Sequence, residues 1–260
     1  MRRIVIFLLL LLLLPCSVVA QTQQQDSLRL LFIGNSYTYY NDLPDMVYQI
    51  AKTQKKKLSV RSVTKGGERL SGHLKNEKLR KMLTHERWDY VILQEQSSSP
   101  AHPTQSVIEN IYPAAKSLDS LIHVGSPDAT TIFYMTWGHK NGSVHKIDNY
   151  PLAYTYDGMQ ERIKTTYLEM TYQNGGVCAP VGMAWQRVRR ERADYRLYHQ
   201  DMYHPSPLGS YLAANVIYAT IFVQPYQSDF TAGFEAEKAE YIQQVAQQTV
   251  LENKPILNIK

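Results

Sequence analysis

The stretch LRLLFIGNSYTYYNDLP, residues 28–44, decides how the rest of the chain is read. Its first half is an apolar, strand-like run, and Ser36 follows directly in a loop crowded with amide and aromatic residues. Turn chemistry alone accounts for Gly34, Asn35 and Ser36, because a strand has to end somewhere. A serine in that position also suits a nucleophile if the strand belongs to a parallel sheet, since ligands of open α/β sheets bind beyond the carboxyl ends of the strands. The rest of the chain must then supply a sheet and a base.

Four further strand candidates follow: KLSVRSV (57–63), DYVILQ (89–94), TTIFYMTW (130–137) and GVCAPVG (176–182). Helical patterns lie between them at about 43–54, 74–84, 105–122, 152–173 and 183–194, with two more at about 207–222 and 234–250. Alternation at this spacing describes βαβ units, and strands that are apolar almost throughout suit a sheet covered on both faces. The fold class is therefore α/β, a three-layer α/β/α sandwich around a five-stranded parallel sheet. Ser36, KGGE (65–68) and QEQSSS (94–99) then share one edge of that sheet.

A serine hydroxyl becomes a useful nucleophile when an imidazole takes its proton, and a carboxylate best orients that imidazole. The segment HQDMYHPSPLGSYLAANVIYATIF (199–222) offers Asp201 and His204 three residues apart. Ser206 and Pro207 read as the cap and first position of the following helix, which leaves Asp201 and His204 on a loop held by a helix start. Oxyanion donors are available from the Ser36 and Gly66 backbone and from the side-chain amide of Gln96 or Gln94. Tyr37, Glu95 and Trp137 fall at the same edge as candidate pocket residues, although a core-capping role for Trp137 fits equally well. The chain's 19 tyrosines favour a sugar-binding wall only slightly, because buried tyrosines also merely pack.

The first 20 residues, two arginines, an apolar run and small residues up to Ala20, read as a secretory signal peptide; residues 21–27 read as a disordered tail and 28–260 as one domain. The expected location is periplasmic or extracellular. Lipid anchoring at Cys16 is disfavoured by Pro15, and no stable membrane span is expected in the mature protein. Without Arg2 and Arg3 the 28 basic residues become 26 against 23 acidic, a net +3 that points to no nucleic-acid partner. KKK (55–57) and RVRRER (187–192) read as solvated faces. Cys178 alone survives leader removal, so no internal disulfide is available. His73, His139 and His145 lack the H-E-x-x-H spacing of a zinc site and read as surface or loop residues, with neither metal nor cofactor expected.

Taken together, FIGNSYT, VTKGGERLSG, VILQEQS and DMYHPS resemble, in order, the four blocks of the SGNH (GDSL-like) hydrolases, over residues 29 to about 222. The resemblance implies a flavodoxin-like fold and a cofactor-free serine esterase. Ser36 would be the nucleophile, His204 the base, Asp201 its orienting carboxylate, and Gly66 with a glutamine the oxyanion hole. Export and resemblance together imply a small-molecule or glycan ester as substrate, with acetyl the expected acyl group. Two departures stand out: Asn35 replaces the usual acidic residue before the serine, and a glutamine replaces the usual asparagine of the third block. An O-acyltransferase on the same triad and a silent glycan-binding module are the competing readings. The nucleophile elbow G-x-S-x-G does not match, because the last glycine of that pattern is missing after Ser36.

Overall fold

The computed structural model describes residues 27–143, 147 and 149–260. The expected leader with Cys16, nearly all of the expected tail, and His145 lie outside the described residues. Five strands, β1 (Leu28–Gly34), β2 (Leu58–Thr64), β3 (Tyr90–Leu93), β4 (Thr130–Tyr134) and β5 (Val177–Ala179), form one parallel sheet in the order β2-β1-β3-β4-β5. The apolar runs of β1, β3 and β4 are buried because helices cover both faces of the sheet. β2 departs from that expectation: it is the edge strand, and Arg61 and Ser62 reach solvent.

The helices are α1 (Ser36–Tyr39), α2 (Leu43–Thr53), α3 (Leu70–His73), α4 (Glu77–His85), α5 (Thr104–Asn110), α6 (Tyr112–Gly125), α7 (Tyr156–Asn174), α8 (Val181–Glu191), α9 (Pro207–Phe222) and α10 (Ala236–Leu251). Right-handed crossovers put α2 on one face with α9 and α10, and α4, α6 and α7 on the other. α9 is apolar on every side and is buried almost along its whole length, between α2, α8 and α10. The helix expected near 234–250 packs against α9 and α8 through Ile242, Val245, Ala246 and Val250.

Three expected elements end differently, each for a local reason. The helix expected at 105–122 is two helices, because Pro113 lacks an N–H and clashes within a helix interior; it sits instead in the first turn of α6. The strand expected at 176–182 stops at Ala179, where Pro180 interrupts the ladder and starts α8. The strand expected at 130–137 stops at Tyr134, so Met135 to Trp137 lie outside it. Among the described residues, no helix is long and apolar enough to cross a membrane.

Trp137 carries much of the packing at the edge of the sheet where the strands end. Its ring stacks on Tyr37 (centroids 4.5 Å apart, 2° between planes) and on Trp185 (3.9 Å, 4°), and all three are fully buried. Offset aromatic stacks of this kind contribute about 0.5–1.5 kcal/mol per pair beyond area burial. We expect Trp137→Ala to lower the unfolding free energy by about 3–5 kcal/mol, measured as a shift of the urea midpoint.

Candidate active site

Asp201 and His204 lie in a tight reversal between Tyr198 and Pro205, two residues joined by an antiparallel bridge. Backbone bonds from His199 N–H to the His204 carbonyl (2.8 Å) and from Met202 N–H to the His199 carbonyl (3.1 Å) close it, with Met202 left-handed at φ 69°. Ser206 caps α9 by accepting from Gly209 N–H at 3.1 Å, and Pro207 occupies the first turn. The loop is thus fixed from both ends.

Asp201 Oδ1 accepts from the backbone N–H groups of Tyr203 (3.1 Å) and His204 (2.9 Å), and Oδ2 accepts from His204 Nδ1 at 2.8 Å. Partial burial pushes the Asp201 carboxyl up, but these three hydrogen bonds outweigh it and bring it down to about 2. An ionised carboxylate can only accept, so Nδ1 carries the imidazole proton and Nε2 is left as an acceptor. Ser36 Oγ lies 2.8 Å from that Nε2, across 168 residues of sequence. Ser36, His204 and Asp201 therefore form one hydrogen-bonded series.

Two tyrosines flank the imidazole. Tyr40 stacks on it (4.3 Å, 18°) and Tyr203 lies against it (4.4 Å, 41°). Tyr40 is held there by two consecutive left-handed residues, Asn41 and Asp42, both at φ 55°. Asn41 Nδ2 donates to the Pro205 carbonyl (3.2 Å) and to Ser210 Oγ (2.9 Å), and Ser210 Oγ donates to the Tyr40 carbonyl (3.2 Å). Such backbone strain persists only where the surroundings over-determine it. The clasp ties the serine loop to the histidine loop, and sequence reading missed it; Asn, which tolerates φ above zero, was the available signal.

Solved structures match this architecture. A protein assigned as a candidate SGNH hydrolase from Slackia heliotrinireducens is 31% identical, at a TM-score of 0.61, and the match covers 75% of this chain and 100% of that one. The chain belongs to the SGNH hydrolases. It is an ester hydrolase of that family, and its fold is shared more widely. A DUF4886 family protein from Bacteroides uniformis superposes with a TM-score of 0.68 at 18% identity, over 87% of this chain and 95% of that one. An acetyl xylan esterase from Geobacillus stearothermophilus does so at 0.51 and 14%, over 77% and 97%. At these identities the likeness is one of fold. No protein-family model matches the chain, and no curated protein does.

Around the serine of this SGNH hydrolase, both sequence departures have structural partners. Asn35 Oδ1 accepts from Tyr37 N–H (3.1 Å) and its Nδ2 donates to the Glu68 carbonyl (3.0 Å), binding the serine loop to the loop after β2. A carboxylate there would turn one oxygen against the Glu68 carbonyl. Gln94 is fully buried; its Oε1 accepts from Asn35 N–H (2.9 Å) and Thr38 Oγ (2.8 Å), and its Nε2 donates to the Glu95 carbonyl. The alternative that Gln94 donates to an oxyanion is corrected accordingly: its amide braces the serine loop. Gln96 Oε1 accepts from the backbone and hydroxyls of Ser98 and Ser99, and among the described residues its Nε2 donates only to Ser97 Oγ (3.1 Å), which leaves one amide hydrogen without an acceptor there.

Gly66 and Gly67 are the centre of a turn closed by Glu68 N–H to the Lys65 carbonyl (3.1 Å). Gly67, at φ 67°, needs glycine; Gly66 lies close under Tyr39, whose hydroxyl would be 3.3 Å from an added Cβ. Among the described residues, the Gly66 N–H has no hydrogen-bond acceptor, and neither does the Ser36 N–H at the first turn of α1.

Tyr37, expected as a pocket residue, is fully buried beneath the site, so that expectation is corrected; Trp137 is fully buried as well, which is the core-capping one of its two readings. Their stack supports the floor. Tyr134 Oη donates to the Tyr37 carbonyl (3.2 Å), and Trp137 Nε1 donates to the Tyr203 carbonyl (3.0 Å), next to His204. His73 and His139, read as surface or loop residues, are both buried; His139 does lie in a loop, while His73 ends α3. His73 Nε2 donates to the Gly34 carbonyl (2.9 Å), and burial pulls its pKa down, so it holds β1 as a neutral ring.

Glu95 is 1% exposed. Its two oxygens accept from Gln96 N–H (2.7 Å) and Leu70 N–H (3.2 Å), joining the loops after β2 and β3. Burial pushes its carboxyl up to about 7, against the pull of those two donors. It is an internal tie between the loops; a place in the pocket wall is corrected.

Two outcomes follow from these contacts. Asn35→Asp should cost about 1–3 kcal/mol by opposing the Glu68 carbonyl, measured by urea unfolding. Glu95 binds its proton more tightly in the folded chain than in the unfolded one, whose ordinary value is 4.5, so its contribution to stability is lost as pH rises from 4.5 to about 7. The slope from this group is at most about 1.4 kcal/mol per pH unit. Glu95→Gln should flatten the wild-type profile across that window, and the difference between the two profiles separates Glu95 from His73, whose slope has the opposite sign.

Proposed function

We propose that this SGNH hydrolase is an exported serine esterase that removes acyl groups, acetyl above all, from a carbohydrate or glycan. The observation that carries the reading is the series Asp201–His204–Ser36, with each contact at 2.8 Å. Export rests on the leader sequence, and the sugar ester on the exported location together with a fold shared with an acetyl xylan esterase.

In this reading Ser36 Oγ attacks the ester carbonyl while His204 Nε2 takes the hydroxyl proton. Asp201 holds the imidazole in the required tautomer and balances the imidazolium charge. The developing oxyanion takes hydrogen bonds from the Ser36 and Gly66 N–H groups and from the remaining amide hydrogen of Gln96. His204 then gives its proton to the leaving sugar hydroxyl, and an acyl-Ser36 ester remains. Water, deprotonated by the same Nε2, attacks that ester, and collapse releases the acid and restores the Ser36 hydroxyl. Tyr40 and Tyr203 keep the imidazole from rotating out of line.

The test is the intact mass of purified protein after reaction with a fluorophosphonate. One adduct is expected on wild type and none on Ser36→Ala; a folded wild type that stays unlabelled would overturn the esterase reading. Against acetylated xylo-oligosaccharides, Asp201→Asn should lower kcat by about 10³–10⁴-fold, and Ser36→Ala by about 10⁴–10⁶-fold.

A further inference from the structure

The largest basic cluster of the sequence, RVRRER, borders a cavity that the hydrolytic machinery does not use. A cavity of about 390 Å³ is lined by Lys140, Arg189, Arg196 and His199, with Tyr195 and Tyr198 as aromatic walls. No aspartate or glutamate lines it. Within the cluster, Arg187 and Arg190 pair with Glu191, and Arg192 pairs with Asp194. Arg189 does not: its guanidinium lies 3.8 Å from the ring of Tyr156 and 5.3 Å from that of Tyr198, and Nη2 donates to the Lys140 carbonyl at 3.1 Å. Among the described residues, neither Arg189, Arg196 nor Lys140 has a carboxylate partner.

His199 Nδ1 faces Asp201 Oδ2 at 3.4 Å, and the cations Lys140, Arg189 and Arg196 gathered beside it raise the local concentration of anions. A guanidinium fixed in orientation by two rings presents its remaining N–H groups as a planar fork, which suits a carboxylate or sulfate. The cavity also touches the catalytic loop. His199 and Met202, both in its lining, flank Asp201, and Lys140 N–H donates to the Met202 carbonyl at 2.9 Å. The cavity therefore adjoins the loop that carries Asp201.

We propose that this cavity is a subsite for an anionic sugar unit, a uronate or a sulfated residue, of the glycan whose ester Ser36 cleaves. The assignment of the bound sugar to the substrate rests on the esterase reading; the anion site itself does not. It makes the substrate an acidic glycan and gives Arg189, Arg196 and Lys140 the task of fixing its register.

The test measures binding by calorimetry on full-length Ser36→Ala, so that no ester is turned over. Three probes are compared: trigalacturonic acid, its fully methyl-esterified form, which keeps the skeleton and loses the charge, and a sulfated galactose disaccharide. The expected result is that at least one anionic probe binds and the methyl ester does not. Lys140→Gln combined with Arg196→Gln, both exposed side chains, should weaken that binding at least tenfold at an unchanged melting temperature, and added salt should weaken it further. Preference between the two anionic probes names the group. Equal binding of the methyl ester, absence of binding by both anions, or indifference to the double substitution overturns the subsite. Fluorophosphonate labelling of wild type without anion binding removes the subsite and leaves the esterase, and anion binding without labelling does the reverse.

Discussion

Trp137 is the constraint on which the catalytic edge depends. It stacks between Tyr37 and Trp185, and its indole N–H donates to the Tyr203 carbonyl. Tyr37 follows Ser36 directly and Tyr203 precedes His204, so one buried ring holds both partners of the Ser36–His204 contact. Rings in such a stack tolerate little displacement, since protein interiors are close-packed and an added gap forfeits dispersion contacts. Ångström-scale placement of a hydroxyl against an imidazole is what acyl transfer requires. The buried aromatic floor supplies it.

Above that floor, polar contacts join the loops from successive strands. Gln94 reaches from the end of β3 to the serine loop, Asn35 from the serine loop to Glu68, and Glu95 from β3 to Leu70 and Gln96. The Asn41 clasp completes the ring by tying the serine loop to Pro205 and Ser210. Buried polar groups that are fully hydrogen-bonded specify one arrangement, because any other leaves a donor or acceptor unsatisfied in a low dielectric. Asn35, one of the departures from the family pattern, contributes to this network a donor that an aspartate lacks, and Gln94 braces the serine loop with its amide.

The basic cavity behind the Asp201 loop stands apart from this network. Among the described residues, Lys140, Arg189 and Arg196 pair with no carboxylate, whereas Arg187 and Arg190 of α8 are paired. Charge left uncompensated beside a catalytic loop is the feature of this molecule that speaks most directly to the chemistry of its ligand.

The sequence by itself determined the parallel α/β sheet, since apolar runs alternating with helical patterns leave few other ways to bury both faces. It also determined the residues that meet at the edge, because all three polar loops follow strand ends and the Asp-x-x-His segment precedes a capped helix. Sequence reading missed the boundaries at Pro113 and Pro180, although the missing N–H of each proline marks them. What only the tertiary structure decided was which side chains face the site and which lie beneath it. Tyr37, Trp137, Gln94, Glu95 and His73 are close to the nucleophile in sequence or topology, yet packing turns all five into buried supports. Adjacency along the chain cannot show this. An aromatic or amide after a strand serves equally as a wall or a prop until helices from elsewhere in the chain cover it, and here the covering residues, Trp185 and Tyr203, arrive from segments far along the chain.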